Sequence, residues 1–278
     1  MWEKLKKADK IDLILNFFIV IFALSNVFIL YWTFANSFQY TYTIVKVPPE
    51  LFPIRPTIHN FTNLFEGTNA LKWTFNSLFV AATTTFLVVI MSSLSAYGFA
   101  KLKFFGRNTL FLILISTLMI PKEIIFIPLF QTTRALGLIG TYSSMILPNT
   151  AFPLGVFLMR QFYQSLPDEL RESAKIDGAK EVTIFIKIIM PLGKAGLAAL
   201  AIMTFISTWN DYLWQLILTT KESIKTLPIG IASLLQIINP DYGLRLAGSV
   251  VSVVPMLVLF IAFQKYFTKG ITIGAVKG

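Results

Sequence analysis

No charged residue occurs between Lys72 and Lys101, and the gap is filled with aromatic, aliphatic and small polar residues. A run of that length crosses the hydrocarbon of a bilayer as a helix, which needs about 20 apolar residues, with room to tilt. Counting such gaps between charges gives six runs, at roughly 13–36, 73–100, 108–131, 142–160, 194–219 and 246–265. Pro121-Lys122-Glu123 interrupts the third, and the fourth carries Pro148 and Pro153. The pattern predicts an all-α membrane protein with six transmembrane helices. Composition agrees: 14% of the residues are charged, where a soluble domain carries roughly 25%.

The net charge of +10 raises nucleic acid as a partner. The basic residues, however, lie in short loops beside apolar segments and form no continuous basic face, so nucleic acid is not expected and the anionic leaflet is. There is no cysteine, which excludes disulfides, thiolate metal sites and thiol nucleophiles. Lys4, Lys6, Lys7 and Lys10 precede the first apolar run in the manner of a signal peptide. The run is too long for a signal h-region and is read as a retained span.

Lysine and arginine set the orientation. One set of connections and flanks holds Lys4, Lys6, Lys7, Lys10, Lys101, Lys103, Arg107, Arg160, Arg171, Lys175, Lys180, Lys187, Lys194, Lys265, Lys269 and Lys277. The other holds only Lys46, Arg55, Lys72, Arg134, Lys221, Lys225 and Arg245. The richer side is read as cytoplasmic, which puts both termini there. Two sizeable external segments remain. Residues 37–72 contain Pro48, Pro49, Pro53 and Pro56 and are expected to be extended or irregular. Residues 220–245 carry an apolar stretch, Leu227 to Ile238, read either as an exposed contact surface or as a loop lying on the membrane.

A polar island, Ser165–Pro191, lies on the cytoplasmic side between two apolar runs. Asp168 and Glu169 sit where a helix dipole favours negative charge, and Asp168–Arg171 and Glu172–Lys175 are three apart and share a face. Gly178 supplies a stop, Ala179 to Met190 can form a second helix, and Pro191 breaks it. Glu172-Ser173-Ala174, then Gly178, then Ile188-Ile189-Met190-Pro191 resembles the "EAA" signature of membrane subunits of ABC importers. Ser173 and Met190 depart from the usual alanine and leucine. The resemblance implies that Glu172, Ser173, Ala174, Asp177, Gly178 and Pro191 belong to a coupling helix that docks on a cytoplasmic ATPase.

Further fragments appear in order along the chain: Pro48-Pro49-Glu50-Leu51-Phe52-Pro53, Asn76-Ser77, Ala96-Tyr97-Gly98-Phe99-Ala100, Phe205-Ile206 with Trp209-Asn210-Asp211, and Gln264-Lys265-Tyr266-Phe267 with Gly270-Ile271. Together they are similar to the second, maltose-type membrane subunit of carbohydrate ABC importers. The resemblance implies a type I ABC importer permease fold. It also implies ATPase subunits, a second homologous permease subunit, and an extracytoplasmic solute-binding protein reached by the loop at 220–245. Residues 1–72 are then an N-terminal cytoplasmic tail, first span and external loop. Residues 73–278 are a core of five spans with the coupling segment 165–191 and the external loop 220–245.

Ionisable groups at span depth mark pathways. Asp211 lies past the middle of the fifth run, beside Asn210 and Gln215, and Lys122 and Glu123 follow the proline of the third. Two readings stand: Asp211 pairs with Lys122 and borders a solute path, or these groups snorkel to water at the outer interface. Ser92, Ser93, Ser95, Ala96 and Gly98 form a small-residue cluster suited to close helix packing. His59, the only histidine, has no second ligand nearby in sequence.

No Gly-x-x-x-x-Gly-Lys-Ser/Thr segment occurs, so ATP hydrolysis is expected on another chain, and no cofactor is expected. An intramembrane enzyme lacks the paired acids or histidines it would need. An ion-coupled secondary transporter is the alternative, using Glu123 or Asp211, but it has little use for a glycine-hinged docking helix. The expected function is that of a permease subunit of an ATP-driven importer working by alternating access.

Overall fold

The computed structural model describes the backbone of residues 10–234 and 240–275 and the side chains of 12–234 and 240–263. The lysines among the first nine residues, the 235–239 part of the apolar external stretch, and the side chains of the tail fragments at 264–278 lie outside the described residues. The helices are α1 (Lys10–Ser37), α2 (His59–Glu66), α3 (Ala70–Lys101), α4 (Arg107–Ser116), α5 (Lys122–Ala135), α6 (Tyr142–Thr150), α7 (Pro153–Gln164), α8 (Glu169–Ile176), α9 (Glu181–Leu192), α10 (Lys194–Trp209), α11 (Leu213–Leu218), α12 (Leu227–Ser233) and α13 (Tyr242–Ala275). No strand occurs among the described residues.

Three helices are long and apolar enough to cross a membrane: α1 over Asp12–Ser37, α3, and α13 over Tyr242–Phe263. Two bent pairs bring the number to five if each is one span. These are α4 with α5, bent by 102° around Pro121, and α9 with α10, bent by 78° at Gly193. The expected fourth run, 142–160, is two helices. Pro153 disfavours helical backbone at Phe152, so α6 ends at Thr150 and α7 starts on the proline itself. The expected fifth run, 194–219, also breaks: α10 ends at Trp209 and α11 resumes at Leu213.

Contacts divide the chain into two units, Met1–Ala70 with Ile231–Val253, and Leu71–Gly230 with Val254–Gly278. In the first, the most apolar window of α1 has none of its residues buried, as expected for a helix whose whole circumference meets lipid or another chain. The proline-rich 45–58 segment has no helix and returns to α1, where Tyr31 Oη donates to the Leu51 carbonyl at 2.8 Å. Asn60 is buried and donates to the carbonyls of Ser37 (2.8 Å) and Gln39 (2.7 Å), which closes the end of α1. Asp241 caps α13: its Oδ1 accepts from Leu244 N at 3.0 Å and from Thr41 Oγ1 at 2.7 Å.

In the second unit, one apolar cluster joins α3, α7, α8, α9 and α10 through Val88, Tyr97, Met159, Tyr163, Ala174, Ile184, Ile189 and Leu200. Another joins α3, α6 and α11 through Val80, Met145, Ile146, Trp214 and Leu218. Of the small-residue cluster, Ser92, Ser93 and Ala96 are buried, and Ser92 Oγ would lie 2.7 Å from a Cβ at Gly155 of α7. Ser95 is exposed, and a Cβ at Gly98 would meet open space.

Residues 222–230 are held on the start of α3. Asn76 Nδ2 donates to the carbonyls of Ser223 (3.0 Å) and Lys225 (2.7 Å), Trp73 Nε1 donates to Glu222 Oε1 (3.1 Å), and Ser77 Oγ accepts from Leu227 N (2.8 Å). Leu227, Ile229 and Gly230 of α12 are buried. The apolar stretch, read either as an exposed contact surface or as a loop on the membrane, is therefore packed against its own chain at Leu227, Ile229 and Gly230. A Cβ at Gly230 would lie 2.2 Å from the Trp73 ring. Gly230→Val is expected to destabilise by about 1–3 kcal/mol through overpacking, seen as a lower melting temperature of the purified protein in detergent. An unchanged melt would show that Trp73 yields freely.

Candidate functional site

Helix α8 is built from its charges. Asp168 at the N-cap position and Glu169 and Glu172 in the first turn suit the positive end of the helix dipole, and Lys175 in the last turn suits the negative end. Gly178 closes it with φ +79°, in the left-handed region that favours glycine. Gly178 N donates to the Lys175 carbonyl at 3.0 Å and Ala179 N to the Ala174 carbonyl at 2.9 Å, the two bonds of a Schellman end. Ala174 is buried in the core cluster, while Glu172, Ser173, Asp177 and Gly178 are exposed. The Ser173 hydroxyl is used locally, donating to the Glu169 carbonyl at 2.7 Å.

Helix α9 does not stop before Pro191, as the sequence suggests, but runs to Leu192. Pro191 has no N–H for the carbonyl four residues back. The chain winds a wide π turn over Phe185–Ile189 just before the proline, and the bend falls at Gly193. Pro191 is exposed. At Gly193 a side chain would strike the Tyr163 ring, 2.5 Å from the added Cβ.

The segment is fastened to the end of α3 by polar contacts. Lys101, its side chain only 3% exposed, donates to the Leu166 carbonyl (2.6 Å) and to Asp168 Oδ1 (2.5 Å). One turn earlier, Tyr97 Oη donates to Glu181 Oε2 at 2.5 Å. Glu181 also accepts from Arg171 Nε at 3.2 Å and from Arg171 Nη2, and it pairs with Lys175 Nζ at 2.7 Å. Arg171 above all holds the Glu181 carboxyl down to about 2, and Lys101 lowers Asp168, so both are charged at neutral pH. The pairs expected along α8 therefore do not form. Asp168 goes to Lys101, because a buried ammonium needs a carboxylate, and Arg171 and Lys175 share Glu181 from the next helix.

A second polar group lies where three helices break. Lys122, opening α5, is 3.6 Å from Asp211 Oδ2, in the gap between α10 and α11, and donates to Asn149 Oδ1 near the end of α6 at 3.3 Å. Asp211 is 10% exposed and Lys122 51%. Asp211 Oδ1 accepts from Trp214 N at 3.3 Å and so caps α11, while Oδ2 has only the ion pair. Gln215 is buried and donates to the Thr208 carbonyl at 3.0 Å, bracing the gap, and Asn210 donates to the Ile206 carbonyl at 3.0 Å. Glu123 is exposed in the first turn of α5.

The sequence profile described as "Binding-protein-dependent transport system inner membrane component" matches residues 88–273. The chain belongs to this family. As a permease it is 41% identical over 220 residues to the arabinooligosaccharides transport system permease protein AraQ of Bacillus subtilis (strain 168), covering 79% of this chain and 78% of that protein. It is 34% identical over 252 residues to the trehalose transport system permease protein SugB of Mycobacterium tuberculosis (strain CDC 1551 / Oshkosh), covering 89% and 91%. The permease also superimposes on a chain from the crystal structure of a bacterial ABC transporter involved in the import of the acidic polysaccharide alginate. The TM-score is 0.84 at 24% identity, over 94% of this chain and 98% of that one. The fold is that of an ABC importer permease in the membrane, and the chain is a transport subunit rather than an enzyme.

The sequence left two readings of Lys122 and Asp211, pairing or snorkelling to water; the two side chains lie 3.6 Å apart, with Lys122 51% exposed. Glu172, Ser173, Asp177 and Gly178 lie on one exposed element. Sequence reasoning missed Tyr97, Lys101 and Glu181. The signal for Lys101 was present, since it ends the charge-free run only after the apolar face has reached the core.

Proposed function

We propose that this permease is one of two membrane subunits of an ATP-driven, binding-protein-dependent importer whose solute is a sugar or oligosaccharide. The observation that carries this reading is α8 itself: a short helix with an exposed charged face, closed by Gly178 and fastened to a membrane-spanning helix. Glu172, Ser173, Asp177 and Gly178 present the docking face to a cytoplasmic ATPase, while Ala174 and Pro191 set the helices behind it. The oligosaccharide and disaccharide relatives support a carbohydrate solute. The charge bias supports cytoplasmic termini and puts residues 220–245 on the side where a solute-binding protein would dock. Residues 1–72 act as a peripheral span and loop, and 73–278 as the transport core.

Transport follows from two states of the bundle. ATP binding closes the ATPase pair, α8 is carried with it, and the helices joined to α8 shift the cavity from inward to outward access. The ligand shifts this equilibrium only as far as its affinity differs between the states. Lys122, Glu123, Asn210, Asp211 and Gln215 border the path, where broken helices leave polar groups inside the bilayer.

Purification from native membranes in mild detergent is expected to recover an ATPase, a second permease and a solute-binding protein. The reconstituted complex is expected to take up radiolabelled arabino-oligosaccharide only with ATP. Recovery of this chain alone, with uptake driven by an ion gradient, would overturn the reading.

A further inference from the structure

Behind the candidate docking face on α8, helices α3, α7, α8 and α9 share a polar joint whose part in transport the coupling reading does not specify. On α3, Tyr97 and Lys101 are four residues apart and so share a face. Lys101 grips the entry to α8 through the Leu166 carbonyl and Asp168, and Tyr97 reaches Glu181, which in turn holds Arg171 and Lys175 along the flank of α8. The contacts are buried on the α3 side and open on the other. Lys101 and Tyr97 are buried, and Tyr97 also packs on Phe185 of α9 with ring centroids 5.2 Å apart, while Asp168 is exposed and Glu181 partly so. Behind them Ser93, one turn back on α3, shares a 2.5 Å hydrogen bond with Tyr163 of α7. Apolar burial is non-directional, whereas hydrogen bonds and ion pairs of fixed geometry add stiffness to the packing. Directional bonds from one helical face to both ends of α8 fix its position along and around α3.

We propose that Glu181, with Tyr97 and Lys101, is the positioning joint that makes α8 and the end of α3 move as one rigid body. A push on α8 then reaches the membrane without being absorbed by a loop. The proposal deepens the coupling reading and rests on it. Glu181 is here a positioning residue: it touches neither solute nor nucleotide.

The absence of cysteine allows a direct test in the whole reconstituted transporter. Nitroxides at Leu94→Cys on α3 and Glu169→Cys on α8, both exposed positions, report the α3–α8 distance by pulsed EPR without nucleotide and in a trapped ATP-bound state. In the parent the distance is expected to stay within about 2 Å between states, less than half of the one-turn shift of about 5.4 Å by which one element ratchets past another. In E181Q the distribution is expected to broaden, and solute taken up per ATP hydrolysed to fall about three- to thirtyfold, the range of single-residue effects on coupling. Y97F removes one contact only and is expected to lie between the two. A parent distance that changes by more than about 3 Å would overturn the proposal, as would E181Q matching the parent in both distance width and coupling. If Glu172 variants assembled and transported normally while the distance stayed fixed, the docking reading would fail and the joint would stand.

Discussion

Gly178→Trp is expected to leave the chain inserted and folded but to lower ATP-driven uptake about thirtyfold or more, the cost of losing a central docking contact of about 2 kcal/mol. Two effects combine at this position. The backbone has φ +79°, which costs a non-glycine residue about 1–2 kcal/mol. The side chain, in contrast, meets nothing within its own chain, since a Cβ at Gly178 has no neighbour within 4 Å. Bulk there faces outward, so Gly178→Ala and Gly178→Trp separate the terms. Alanine carries the backbone cost alone and is expected to retain much of the uptake, whereas tryptophan adds a steric block on the face assigned to the ATPase. Uptake and phosphate release measured together in proteoliposomes decide the matter. Normal transport by the tryptophan variant would mean that no partner sits on this face.

Reversal of either charge in the Lys122–Asp211 pair is expected to cut uptake by about a hundredfold, and reversal of both to restore most of it. An uncompensated charge at span depth costs about 2.5–3.5 kcal/mol on insertion scales, and the half-exposed Lys122 brings its own variant to the lower end. Asp211→Lys carries the larger penalty, because that position is 10% exposed and its carboxylate also caps α11. Asp211→Asn keeps the cap and removes the charge, so it distinguishes loss of the ion pair from loss of the helix end. Uptake rates of the four charge combinations form a double-mutant cycle. If the double reversal is as inactive as the single ones and Asp211→Asn, which keeps the cap, transports normally, the pair has no part in the path.

Charge-free runs were enough to locate α1, α3 and α13, because a helix in lipid must be apolar over its full length, but the runs at 108–131, 142–160 and 194–219 are each two helices. Pro121 marked the break in the third run, whereas the fourth, read as one span, breaks at Pro153 and keeps Pro148 inside α6. The break at 210–212, inside a run read as one span, was not legible, and its meaning depended on Asn149 and Lys122 arriving from other helices. The candidate docking face was legible through its spacing, but the joint behind it was not. On a single chain, Asp168 and Arg171 are natural partners. In the fold Asp168 finds a lysine 67 residues away, and Arg171 a carboxylate 10 residues on, beyond the glycine turn. Burial decides between them, and burial is a property of the assembled helices.

Ile184 and Ile189 are both buried at a spacing of five, which an α-helix would place about 140° apart. The wide turn at 185–189 reconciles them by holding one residue more than an α-helical turn needs. Loss of a single residue within it would therefore restore an ordinary α-helical turn and leave the helix beyond Met190 nearly in phase. Leu200 and Gly196 of α10 would keep their contacts with α7, and the cost would fall on the buried side chains of the turn itself. A one-residue deletion should then be borne better here than in the α-helical turns on either side, where it would rotate all that follows by about 100°.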